Sequence, residues 1–326
     1  MKYSKEQQKA INTIDGQVCI ISVAGSGKTS VIVARANNII KSGVRPYRIL
    51  VLTFSKAAAV QMADRYKMQY GSDGIRFSTI HSLCYSVLAR AYNLKAEDIL
   101  SEAGRLKFFT EFHRQLLYKR VSGVPDDFDE YYRKCNEYIN SMAVGTADIQ
   151  DSKSSSKAYL EITFSQYKEF KKNNKKLDFD DMILYCHKCL SSNKQELEYW
   201  QGIFDYIMVD EFQDTGTLQA EIIYMVADLR KNVCVVGDDD QSIYGFRGAD
   251  SSIFKEFSRK YPGSVQIILG TNYRSLPYII EGTKEACQMR KRKLKIYLTP
   301  TENSIVIQSL NNLRNAMLKE NRDTGC

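Results

Sequence analysis

Short runs of β-branched and apolar residues, most of them ending at an acidic or glycine-containing turn, restrict the fold of this chain more than any other feature. They are VCIISV (18–23), ILVLTF (49–54), YIMVDE (206–211), VCVVGD (233–238) and VQIILG (265–270), with IRFSTI (75–80) a weaker sixth. Most are continuous rather than alternating, which is the pattern of strands covered on both faces of a parallel sheet. Helical patterns lie between them, such as TSVIVARANNIIKSG (29–43), closed by Gly43 where a helix C-cap falls. Strand–helix alternation of this kind predicts a doubly wound α/β core with helices on both faces of the sheet.

The alternation stops between residues 90 and 180. There, GRLKFFTEFHRQLLYKR and YLEITFSQYKEFKK repeat aromatic and aliphatic residues at helical spacing, with VSGVPDD (121–127) and SSSK (154–157) as loops. The aromatic stripes read as core packing. Residues 1–90 and 178–271 are therefore expected to form two portions of one α/β domain, and 91–177 a helical insertion between them. Beyond Tyr273 the pattern gives one helix, a basic stretch and an amphipathic segment, SIVIQSLNNLRNAMLK.

A length of 326 residues allows roughly two to three structural units. The chain is 44% apolar and 26% charged, as in ordinary globular proteins, and no window approaches a helical membrane span. The N-terminal MKYSKEQQKA is polar and runs into a helical pattern, unlike a secretion signal. Eight scattered cysteines, several inside strand-like runs, read as buried thiols in a reducing cytoplasm. The net charge of +8 gathers in clusters such as KKNNKK (171–176) and RKRKLK (290–295). Such clusters track nucleic-acid phosphates or simply end solvated helices, so charge permits a nucleic-acid partner without demanding one.

Three strand ends carry chemistry. SVAGSGKTS (22–30) follows the first strand and opens a helix. Phosphates approach backbone N–H groups most closely where no Cβ intervenes, as at Gly25 and Gly27, with Ala24, Ser26 and Ser30 completing the loop. Lys28 then supplies a point charge to the β/γ-phosphates and Thr29 a hydroxyl to Mg²⁺. The strict Walker pattern wants glycine where Ser22 stands. At the end of IMVDEFQDT (207–215), Asp210 is placed to hold Mg²⁺ and Glu211 to act as general base on the attacking water. In VVGDDDQSIYGFRGAD (235–250), Gln241 is placed within reach of a γ-phosphate. Tyr244, Phe246 and Arg247 follow on a glycine-flanked segment, a composition on which single-stranded bases stack, although Phe246 fits core packing equally well. Arg274, in LGTNYRSLPYII (269–280), sits just after a strand.

VDEFQDT together with GDDDQSIYGFRGA and NYRS resembles the UvrD/Rep-type superfamily 1 DNA helicases. AGSGKT fits that family, which commonly departs from the strict Walker glycine, and SKEQQKAI (4–11) is similar to its N-terminal glutamine motif. LTFSKAAAVQM (52–62), TIHSL (79–83) and LDFDDMI (177–183) resemble further motifs of the same family. The resemblance runs from residue 3 to about 295 and implies a RecA-like P-loop NTPase fold that uses ATP and Mg²⁺ on single-stranded DNA, translocating 3′→5′. It implies that Gln7 and Tyr273 meet the adenine and that Lys28, Thr29 and Arg274 meet the phosphates or metal. It also implies that Thr53, Phe54, Thr79, His81, Tyr244, Phe246 and Arg247 line the DNA path. Motors of this type serve excision and mismatch repair, replication restart and plasmid replication.

Two departures stand out. The family's asparagine–lysine pair in TNKAA is Lys56–Ala57 here. The second RecA-like lobe, with its further arginine finger, has no counterpart after Arg274, so 272–326 reads as the start of that lobe. The expectation is a motor portion that binds ATP and hydrolyses it weakly alone, the rest of the motor or a protein partner being supplied separately. A non-motor module binding ATP and single-stranded DNA, or the motor lobe of a helicase–nuclease, are the alternatives. CHKC (186–189) reads as thiols packed on a helix rather than a metal site, and His113 as structural.

Overall fold

The apolar runs become strands β1 (Gln17–Ser22), β2 (Ile49–Thr53), β3 (Arg76–Thr79), β4 (Tyr206–Val209), β5 (Val233–Gly237) and β6 (Val265–Leu269). In the computed structural model they form one six-stranded sheet in the order β3-β2-β4-β5-β1-β6, and every pairing is parallel. The structure describes residues 3–71, 73–144, 156–238, 253–275 and 297–298. Contacts divide the chain into two units, Met1–Ser22 with Lys28–Leu269, and Val23–Gly27 with Gly270–Cys326.

The continuous runs are explained by a core on each face of the sheet. Along β2, Leu50 and Leu52 enter one core while Ile49 and Val51 enter the other. Along β5, Val233 and Val235 part from Cys234 and Val236 in the same way. Helices α1 (Lys5–Asn12), α2 (Lys28–Lys41) and α3 (Lys56–Tyr70) cover one face through residues such as Ala10, Ile32 and Tyr66. Helices α4 (Ile80–Tyr92), α8 (Phe179–Ser192), α9 (Lys194–Ile203), α10 (Thr217–Ala227) and α11 (Ile253–Lys260) cover the other, contributing Leu83, Met182, Trp200, Ile222 and Phe257. The edge strand β6 departs from two-sided burial: Ile267 and Leu269 are buried, but Ile268 on the opposite side is 54% exposed.

Between α4 and α8 the chain builds a core of its own. Helices α5 (Glu102–Tyr118), α6 (Phe128–Val144) and α7 (Ser156–Asn173) close around Phe109, Leu116, Tyr131, Tyr159 and Tyr167. The SSSK stretch, expected as loop, gives Ser156 and Lys157 to the start of α7; residues 154 and 155 lie outside the described residues. The expected structural role of His113 is seen in this core, where its Nε2–H donates to the Pro125 carbonyl at 2.7 Å and its ring stacks on Tyr131. The insertion leaves and rejoins the chain at one place: Leu100 N–H donates to the Leu177 carbonyl at 2.7 Å and Leu177 N–H to that of Asp98 at 2.9 Å. Immediately beyond, Asp178 caps α8 and accepts from Tyr167 Oη at 2.9 Å and Lys171 Nζ at 2.8 Å. Lys171 also pairs with Asp181 at 2.6 Å, so this member of the KKNNKK cluster is a buried structural cation.

In the second unit, the short strands β7 (Thr271–Asn272) and β8 (Tyr297–Leu298) pair in parallel.

Candidate functional site

Because the six strands are parallel, their carboxyl ends share one edge of the sheet, where ligands of open α/β folds bind. Thr53, Thr79, Asp210, Glu211 and Asp238 all stand at or just past that edge.

Asp210 continues β4, donating its N–H to the Leu52 carbonyl at 2.8 Å. Glu211 then breaks the strand by adopting φ +51°, ψ +46°, a left-handed conformation unfavourable for a residue with a Cβ. Such backbone persists where surrounding contacts hold it, characteristically at functional sites. Here the contacts are polar. Glu211 Oε2 accepts from Lys28 Nζ at 2.8 Å and from Gln213 Nε2 at 2.8 Å. Gln213 is buried, and its Oε1 accepts the Asp238 N–H at 3.0 Å. One amide thus ties the end of β5 to the carboxylate that pairs with Lys28. Gly237 leaves room for it, since a Cβ there would lie 2.2 Å from Gln213 Oε1.

The remaining carboxylates carry the electrostatic signature of the site. Asp210 is buried and its Oδ1 has no hydrogen-bond partner among the described residues. Burial first, and the neighbouring Glu211 charge second, push its carboxyl up to about 7, with Lys28 opposing. Asp214 is raised to about 6 by the same two causes in the same order. An orphaned buried carboxylate oxygen is costly unless a cation meets it, so Asp210 fits a divalent ion as a ligand. Thr29, half-buried in the first turn of α2, brings a hydroxyl oxygen of the hard kind Mg²⁺ prefers.

Gln7 is buried in a capping box at the start of α1: its Oε1 accepts the Ser4 N–H at 3.0 Å while Ser4 Oγ accepts the Gln7 N–H. At the positions expected to line a DNA path the two threonines turn inward. Thr53 Oγ1 donates to the Ser55 carbonyl at 2.9 Å, and Thr79 caps α4 by accepting the Ser82 N–H. Phe54 is 40% exposed, and His81 meets Phe179 edge-on at 5.4 Å. An open concavity of about 840 Å³ is lined by Ser55, Lys56, Ala57 and Val60 at the start of α3, where the sequence departs from TNKAA. Gln241, Tyr244, Phe246 and Arg247 lie outside the described residues.

In the second unit the loop Val23–Gly27 carries Gly25 at φ +71° and Gly27 at φ +85°, with Ala24 exposed and Ser26 buried. The Gly25 carbonyl accepts the Tyr273 N–H at 2.9 Å. Asn272 Oδ1 accepts from the Arg274 and Ser275 N–H groups at 2.8 and 2.9 Å, closing a turn that leaves Tyr273 and Arg274 exposed. A Cβ on Gly25 would fall 2.5 Å from Asn272 Oδ1, so the glycine is required for close approach as well as for its φ. Asn272 and Gln213 are the positioning residues that sequence reasoning left without a role. Asparagine's habit of bonding backbone two residues on was a signal for the first; for the second there was none beyond membership of DEFQD.

Cys186 and Cys189 of CHKC are buried among apolar residues, as expected of packed thiols. His187 between them instead pairs with Glu221, Nε2 to Oε2 at 2.6 Å.

Residues 3–262 match the UvrD/REP helicase N-terminal domain. The chain belongs to that family. Among UvrD-type relatives, it is 32% identical over 316 residues to the ATP-dependent DNA helicase PcrA of Bacillus subtilis, covering 92% of this chain and 41% of PcrA. It is 32% identical over 295 residues to PcrA of Staphylococcus aureus, covering 86% and 39% respectively. The YjcD protein of Bacillus subtilis is 31% identical over 315 residues, covering 94% and 41%. The chain thus spans about two-fifths of the length of these UvrD-type relatives.

Proposed function

We propose that this chain binds ATP with Mg²⁺ and single-stranded DNA, and forms the nucleotide-hydrolysing portion of a DNA translocase. The observation that carries the reading is the contact of Lys28 with Glu211 beside the orphaned oxygen of Asp210. A cation and two carboxylates at a strand end are what phosphoryl transfer needs. In this reading the backbone of residues 24–30 receives the phosphates, Lys28 leaves Glu211 for the β/γ-phosphates, and Arg274 reaches the γ-phosphate. Gln7 and Tyr273 hold the adenine. Asp210 and Thr29 hold the Mg²⁺, which neutralises charge on the phosphates when bound. Glu211, still oriented by Gln213, takes the proton of the attacking water, and Gln241 senses the γ-phosphate. Phe54, Tyr244 and Phe246 stack bases, with Thr53, Thr79, His81 and Arg247 along the same strand. The direction of travel is 3′→5′, the location cytoplasmic, and DNA repair is one process such a motor would serve. Among the described residues no helix is long and apolar enough to cross a membrane.

Titration with a fluorescent ATP analogue, with and without a single-stranded oligonucleotide, tests this. The wild-type chain is expected to bind the analogue and Lys28→Ala to bind it at least about tenfold more weakly, the loss of a charged contact. Nucleotide and DNA are expected to alter one another's affinity reciprocally. Independent binding of the two would instead support a non-motor module. Besides Arg274, the resemblance implies a further arginine finger that these 326 residues do not supply. Such fingers contribute about 10³–10⁵ in rate in comparable NTPases, so the 326 residues alone are expected to hydrolyse ATP feebly. Brisk unwinding by them would overturn that expectation.

A further inference from the structure

Helix α2 carries an arginine that the site described above does not use. Arg35 is 1% exposed and heads the largest fully buried side chains among the described residues. Among those residues no carboxylate pairs with it. Its guanidinium meets backbone carbonyls instead: Nη1 donates to those of Ala10, at 2.7 Å, and Thr13, and Nη2 to that of Ile14, at 3.1 Å. One turn on, Asn38 Nδ2 donates to the Ile11 carbonyl at 3.1 Å. These acceptors belong to the last turn of α1 and the residues just past it, where a helix leaves carbonyls unpaired and its dipole favours positive charge.

Burying a guanidinium is costly, and a well-packed apolar side chain would join two helices as firmly without that cost. An arginine adds something else. Its planar fork of donors fixes where the carbonyls of a neighbouring element must lie, both along and around the axis. At the opposite end of α1 the Ser4–Gln7 capping box orients the Gln7 side chain within the helix. Gln7 therefore has a set direction on α1, and the grip at the C-terminal end sets α1 itself. The element to which its C-terminal end is pinned begins with Lys28, seven residues and about 10 Å of helix before Arg35.

We propose that Arg35, assisted by Asn38, is a positioning residue for nucleotide selection. It holds α1 at one setting on α2, so that Gln7 reads the base at a fixed distance from the charge of Lys28. This rests on the nucleotide reading above and deepens it. Base recognition depends on directed hydrogen bonds, which fail with small displacements, whereas a lysine point charge tolerates them. Loss of the Arg35 grip should therefore degrade discrimination between bases while leaving discrimination between triphosphate and diphosphate nearly intact.

Competition of ATP, GTP and ADP against a fluorescent ATP analogue on the 326-residue chain decides this, with circular dichroism and thermal melting of each variant as the control for folding. The wild type is expected to prefer ATP to GTP by at least about tenfold, because a site built to hydrogen-bond its ligand rejects analogues strongly. Arg35→Met is expected to bring that ratio within about twofold while moving the ATP-to-ADP ratio less than about twofold, the split that separates a lost directed contact from lost charge. Arg35→Lys and Asn38→Ala should lower the base ratio partway, and they carry the test if Arg35→Met does not fold. Arg35→Met combined with Gln7→Ala should select no worse than either alone, since the two act through one contact.

A wild-type chain that binds no nucleotide overturns the nucleotide reading and this inference with it. A wild type that selects adenine while the folded Arg35 and Asn38 variants select it equally well overturns the inference alone, as does a wild type with no base preference. Equal loss of both ratios reduces Arg35 to a stabilising residue and overturns it too.

Discussion

Asp210 holds two properties in tension. It ends a buried strand, so burial raises its carboxyl to about 7, yet the chemistry proposed for it needs the carboxylate. An acid whose native pKa lies above its unfolded value, near 3.9, keeps a proton on folding that the unfolded chain has already released. The native state then binds more protons than the unfolded one across that window, so stability falls as pH rises from about 4 to about 7. Asp214, raised to about 6, contributes in the same direction over the lower part of the window. In denaturant titrations without nucleotide or metal, the chain is expected to lose stability between pH 6 and pH 7.5. Asp210→Asn should flatten that segment and leave the Asp214 portion below it. An unchanged slope in the variant would show that Asp210 does not carry the proton.

The strand ends depend on β5 as much as on β4. Gly237 ends β5, and a methyl group there would meet Gln213 Oε1 at 2.2 Å, Phe254 Cζ at 2.8 Å and the Phe212 backbone nitrogen at 3.1 Å. Two of those three neighbours belong to the turn that carries Glu211, so they cannot yield without moving it. Gly237→Ala is expected to cost about 1–3 kcal/mol as overpacking, and to weaken nucleotide-dependent behaviour beyond what the fall in stability explains. Thermal melting alongside nucleotide titration separates the two effects. The strands themselves were legible in the sequence because two-sided burial in a parallel sheet leaves continuous apolar runs, and β2, β4 and β5 are buried at every position. The glycine-bearing loop and the acidic strand end were legible because the chemistry expected of them restricts residue type locally. What joins them was not. Gln213 reaches Asp238 across 25 positions, and Arg35 grips carbonyls 21 to 25 positions upstream; a backbone acceptor leaves no mark on the identity of the residue that offers it. The exposed side of β6 was hidden for a related reason: its composition matches the central strands, and only its place at the edge of the sheet distinguishes it.

The α/β sheet and the helical insertion have separate cores, and where α8 begins charged residues of the two pair with one another. Lys171 is central among them, neutralising Asp178 and Asp181 where α8 begins. Lys171→Met would leave Asp178 buried without its cation, a change that costs about 3–5 kcal/mol in buried ion pairs. The single tryptophan, Trp200, packs in the sheet's core and so reports on that core alone. In the variant, helical circular dichroism is expected to decay at lower denaturant than Trp200 fluorescence, with the two transitions closer together in the wild type. Coincident transitions shifted by the same amount would show one cooperative unit instead. The hydrogen bonds among Asp98, Leu100 and Leu177 place the two ends of the insertion side by side. A segment whose ends meet in this way can be exchanged like a cassette: a tight turn could replace it, or a foreign domain with adjacent termini be spliced in, without rethreading a strand. The chemistry proposed for the sheet and the three helices of the insertion are in that respect free to evolve on separate schedules.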